Sequence, residues 1–132
     1  MRRIEETCLD SVSYLKTIRR YIGKLRHPMI ISFDNRLRKL YGDYFFDGTT
    51  HIIRISPWTN KNDSRHSELR NLIQTTLHEI HHFHQWKKLK SSFWSKKYLS
   101  DDSPLETDAR KYEEKYIDDA ISFYKECRKK RK

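Results

Sequence analysis

Between Leu69 and Leu89 the chain carries neither Gly nor Pro, and within that stretch lies His78-Glu79-Ile80-His81-His82. The run reads as one long helix. Side chains four apart on a helix share a face about one turn apart, so His78 and His82 can grip one small ion between them. Glu79 leans toward the same open side, where a carboxylate can take a proton from a metal-activated water. Leu69, Leu72, Ile73, Thr76, Ile80 and Phe83 form an apolar stripe. The two His fall on the opposite side, so the helix can pack on a core and still present them to a cleft. His81 and His84 lie outside the pattern. His81 is expected at the cleft rim or in solvent, and His84, beside Ile73 and Leu77 on the wheel, as a partly buried structural residue.

The 132 residues suit a single domain with one modest core, 36% hydrophobic and 13% aromatic. Three Gly, three Pro and 35% charged residues favour a helix-rich chain. No apolar run approaches the roughly 20 residues of a membrane span, and Met1–Glu6 lacks the apolar core of a signal peptide, so a cytoplasmic protein without a membrane partner is expected. Cys8 and Cys127 fit no ligand spacing and are expected as free thiols. The net charge is +10, and residues 1–42 alone hold ten Lys/Arg against four Asp/Glu. Such a field favours anionic partners, nucleic acid first, though a solvated basic surface would look the same. The basic run at 128–132 is expected to fray.

The periodicity of Ile4, Cys8, Val12, Leu15, Ile18, Ile22 and Leu25 predicts a first helix over 4–26, ended by Gly23 and His27-Pro28. Met29–Phe33 reads as a strand. Tyr44–Phe46 and 50–55 flank Asp47-Gly48 and read as a β-hairpin, with His51, Ile53 and Ile55 on one face and Ile52 and Arg54 on the other. Residues 59–67 read as a loop, and 91–103 as another bearing Phe93, Trp94 and Tyr98. Ser103-Pro104 opens a last helix expected to run to about 127.

A catalytic zinc takes three protein ligands and keeps one position open. No His follows His84, so the third ligand is expected to be a downstream carboxylate. Glu106 is the leading candidate, and Ala109 one turn on would let the two helices approach closely. Asp108, Glu113 and Glu114 are alternatives. Glu113, two turns on from Glu106, is also placed to support a ligand. A donor for a developing oxyanion could come from Tyr98, Tyr112, Tyr116 or His51, with no choice among them.

The order of helix, hairpin, H-E-x-x-H helix and Glu-bearing helix resembles the small zincin metallopeptidases. It is most similar to the minigluzincins, with broader similarity to SprT-like proteins. The similarity spans about residues 30 to 117 and rests on His78-Glu79-x-x-His82 and Pro104-Leu105-Glu106-Thr107-Asp108-Ala109. It implies an α+β, zincin-like fold: an N-terminal helix, a small antiparallel sheet with a hairpin, the active-site helix and a C-terminal helix carrying a ligand Glu. It implies one zinc ion held by His78, His82 and Glu106, with Glu79 as general base of peptide hydrolysis. It also implies a strand like 50–55 along the cleft, onto which a peptide substrate adds. Leu105 stands where larger gluzincins carry Asn, and the third His of SprT-like proteins has no counterpart here. The expected activity is that of a zinc endopeptidase. The alternative is a latent or non-enzymatic zinc protein associated with nucleic acid.

Overall fold

The computed structural model describes residues 2–3, 9–34, 36–37, 42–59, 65–90 and 103–131. Within them the chain is α+β: three helices and a three-stranded mixed sheet, with a short two-stranded ribbon.

The ribbon pairs β1 (Arg2–Arg3) with β5 (Trp58–Thr59). Helix α1 spans Ser11–Ile22; of the predicted 4–26, residues 9–10 and 23–26 are not helical, and 4–8 lie outside the described residues. Its first helical bond runs from the Tyr14 N–H to the Asp10 carbonyl, and Ser13 Oγ hydrogen-bonds the Asp10 carboxylate. Asp10 keeps an extended backbone and so sets the start, while Gly23, at φ 76, sets the end. The apolar periodicity continues past both ends, but the helix does not. Leu25, beyond Gly23, is 42% exposed.

The sheet holds β2 (Met29–Phe33), β3 (Gly42–Phe46) and β4 (His51–Ile55). The predicted hairpin forms. Its loop is held by Asp47 Oδ1, which accepts from the N–H groups of Thr49 and Thr50 at 2.8 Å each, with Gly48 at φ 103. His51, Ile53 and Ile55 are buried and Ile52 and Arg54 half-buried, as the alternation requires. The sheet is not antiparallel throughout, however. Its order is β2-β4-β3, with β2 parallel to β4. The hairpin thus places β4 in the centre, and no peptide can add to 51–55. The edge nearest the H-E-x-x-H helix is β3.

Helix α2 spans Arg65–Leu89, and α3 spans Pro104–Arg131. Part of the loop expected at 59–67 is therefore strand or helix; residues 60–64 and 91–102 lie outside the described residues. α2 is the central element. Ile73, Leu77 and Ile80 have no exposure and Phe83 has 1%, and they join one core with Tyr14, Ile18, Tyr44, Ile53, Ile55, Ile117 and Tyr124. α3 covers the polar side of α2, with Ala109 and Ala120 fully buried. Small side chains there let the helix axes come close. The basic end does not fray through Arg131: α3 continues, and Arg131 Nε lies 2.8 Å from Asp10 Oδ2. Among the described residues no helix is long and apolar enough to cross a membrane.

Candidate metal centre

Three side chains from two helices converge. His78 and His82 present their Nε2 atoms 3.1 Å apart. Glu106 Oε2 lies 2.9 Å from His78 Nε2, and Glu106 Oε1 lies 2.8 Å from His82 Nε2. A tetrahedral ion with bonds of about 2.0–2.1 Å sets its ligands roughly 3.3 Å apart, so this triangle needs only a slight outward relaxation to hold one. Two imidazoles and one carboxylate are also the donor set that suits zinc.

Helix start chemistry brings Glu106 here. Ser103 Oγ accepts from the Glu106 N–H at 3.3 Å, and Ser103 O from the Thr107 N–H at 3.1 Å. The cap leaves the Glu106 carboxylate free to turn away from its own helix end toward the His pair.

Glu79 stands one step back. Its Oε1 is 4.0 Å from His82 Nε2, farther than either Glu106 contact, although His78, Glu79 and His82 each offer an atom within 4.8 Å of one another. Glu79 is 4% exposed, and its Oε2 has no hydrogen-bond partner among the described residues. A buried carboxylate oxygen left unpaired costs free energy, and a small polar ligand in the site would relieve it. Donor set, spacing and orphaned oxygen all fit a metal with water beside it.

The electrostatics of these side chains follow from the same geometry. Burial lowers the His78 pKa, but hydrogen bonds to Glu106 and Glu113 and the nearby Glu79 outweigh it, raising the value to about 10. His82 is raised too: burial opposes the shift, and Glu106 and Glu79 drive it. Hydrogen bonds from both His hold Glu106 well below the usual carboxylate range. Burial pushes Glu79 up to about 7, against the pull of His82 and His78.

The supporting contacts were only partly legible beforehand. Glu113 Oε2 lies 3.3 Å from His78 Nδ1, the supporting position its helical spacing allowed. Gln85, which sequence reasoning missed, lies 2.7 Å from His82 Nδ1. Its signal was the three-residue step from His82 along one helix face. Gly42 was missed as well. A Cβ there would sit 2.9 Å from Arg54 O, 3.0 Å from Thr75 Cγ2 and 3.3 Å from Glu79 Cγ. Only a residue without a side chain lets the edge strand pass this close to Glu79.

His81 lies 2.5 Å from Asp108 Oδ2, so Asp108 serves His81. His84 Nε2 donates to Tyr21 O at 2.7 Å, the structural role expected of it. The described candidate oxyanion donors make their contacts away from the triangle. His51 is 2% exposed, bonded to the Tyr44 hydroxyl and ringed by Phe46, Phe83 and Trp86. Tyr112 stacks on His81 at 4.3 Å, and Tyr116 packs against Tyr112 and Tyr21. Tyr98, like Cys8, lies outside the described residues, and Glu114 is exposed; Cys127 is a free thiol. No family model matches this chain, nor does any curated protein or solved structure.

Proposed function

We propose that this chain is a zinc-dependent endopeptidase of zincin-like fold, akin to the minigluzincins. The observation that carries the reading is the triangle of His78 Nε2, His82 Nε2 and the Glu106 carboxylate, with the buried, half-unpaired Glu79 beside it. His78, His82 and Glu106 would hold the ion. Bound there, zinc lowers the pKa of a water and polarises the scissile carbonyl. Glu79 takes the proton of the attacking water and returns it to the departing amine. Its burial keeps bulk water from competing for that proton. β3 is an end strand of its sheet, and its Gly42 end abuts Glu79. An extended peptide pairing with that edge is carried past the base.

Glu79→Gln tests this reading. The change preserves shape and leaves all three ligands in place. The variant should fold and take up one zinc per chain, yet lose nearly all cleavage of an unstructured protein such as casein. Unchanged cleavage would refute the mechanism.

A second reading is a zinc protein associated with nucleic acid. It is favoured by Lys16, Arg19, Lys24 and Arg26, which are exposed on and just after α1 with no carboxylate partner among the described residues. A buried Glu79 with one unpaired carboxylate oxygen has no use in a purely structural zinc site, and this favours the peptidase.

A further inference from the structure

We infer that Gln85 is the positioning residue of the metal centre: it fixes which nitrogen His82 offers to the ion and ties that choice to the helix delivering Glu106. The inference rests on the proposed metal site. Gln85 is buried at 6% exposure, and its whole amide is engaged. Its Nε2 donates to Leu105 O at 2.9 Å and to Asp108 Oδ2 at 3.1 Å. Its Oε1 lies 2.7 Å from His82 Nδ1.

These partners remove the usual ambiguity of an amide. A backbone carbonyl and a carboxylate only accept hydrogen bonds, so the group facing them must be the NH₂. Turning the amide over would lose both bonds and set oxygen against oxygen twice. The Oε1 is therefore committed to His82, and His82 Nδ1 must carry the hydrogen it accepts. Nε2 is then the nitrogen that gives up its proton to an ion, and Nε2 is the atom in the triangle with His78 and Glu106. A flipped or rotated His82 would forfeit the Gln85 bond in a buried place.

Coupling to the third ligand runs through the backbone. Leu105, whose carbonyl Gln85 holds, directly precedes Glu106. One side chain thus spans α2 and α3 and sets His82 and the Glu106 backbone against each other. His78 is held differently, since its Nδ1 faces the Glu113 carboxylate at 3.3 Å.

The test is Gln85→Leu, with Gln85→Met as a second variant of similar length should the first fold poorly. Zinc affinity is measured by chelator competition and folding by circular dichroism of the metal-free protein. Visible absorption of the cobalt-substituted protein reports ligand geometry. Loss of the orienting bond should weaken zinc binding by roughly 10- to 100-fold in a folded variant and alter the cobalt bands. If a folded variant binds zinc within about threefold of wild type with unchanged cobalt bands, Gln85 is only a packing residue and the inference fails. If wild type itself takes up no zinc, the metal reading fails and takes this inference with it.

Discussion

Gly42 lies against Glu79 so closely that a Cβ at position 42 would stand 3.3 Å from Glu79 Cγ. The same atom would sit 2.9 Å from Arg54 O and 3.0 Å from Thr75 Cγ2. The carbonyl belongs to the neighbouring strand and cannot yield cheaply. Gly42→Ala should therefore cost about 1–3 kcal/mol, read as a lowered denaturant midpoint. Adding Thr75→Ser should recover only part of the loss, because the clash with Arg54 O remains. Full stability in Gly42→Ala would show that β3 can stand off the helix.

Ligand substitutions should separate from the base substitution. His78→Ala or His82→Ala should abolish stoichiometric zinc, counted by metal analysis of the purified protein. Glu106→Gln should weaken zinc binding and activity together, whereas Glu79→Gln loses activity alone. The difference is positional: Glu106 lies 2.8 and 2.9 Å from the two Nε2 atoms, and Glu79 stands at 4.0 Å from the nearer. Full zinc occupancy in a His78 and His82 double substitution would remove the site.

Zinc should tie α2 to α3. The ligands come from both helices, so an ion that binds only the folded chain stabilises it by mass action, about 2.7 kcal/mol at a hundredfold excess over Kd. Thermal scans should show a rise of several degrees with zinc, reversed by chelator. A Tm indifferent to both would contradict a site bridging the helices.

The stability contributed by His51 should fall on acidification. Burial, followed by the positive charges of His27, Lys90 and Lys87, lowers its pKa from the ordinary 6.5. The unfolded chain thus takes up this proton more readily than the fold. The neutral form's contribution is complete above 6.5 and is lost as pH falls through the folded value. Comparing chelator-treated wild type with His51→Gln cancels the other titrations. The gap in their urea midpoints should narrow from about pH 8 to about pH 5, across the ordinary imidazole range. A constant gap would mean the ring is not held neutral.

The exposed basic residues on and just after α1 give the nucleic-acid reading its own test. Any binding to a DNA or RNA duplex should weaken steeply with salt, as counterion release requires. Replacing Lys16, Arg19 and Lys24 with Gln should flatten the log–log slope by roughly 0.9 for each phosphate no longer neutralised. Absence of binding at low ionic strength would retire that reading.

What depends on local spacing and turn chemistry can be read from the residues alone. The placement of His78, Glu79 and His82 on one helix follows from the four-residue period. The hairpin follows from Asp47-Gly48, and the start of α3 from Ser103-Pro104. Glu106 was legible as a candidate because its helix starts there and a zinc held by two His calls for a third ligand. Tertiary structure decided what needs two elements at once. Strand order was hidden, since the alternation of β4 reads the same whether β2 pairs with it or with β3; the register Met29 to His51 settles it as parallel. The ends of α1 were hidden because apolar spacing continues through Ile4 and Leu25, whereas Asp10 and Gly23 fix the backbone. Gln85 and Gly42 were hidden for a related reason. A glutamine on a helix and a glycine before a strand look ordinary until α3 brings Leu105 and Asp108 to one and α2 brings Glu79 to the other. The helix period fixes which side chains share a face, but only packing fixes what that face meets.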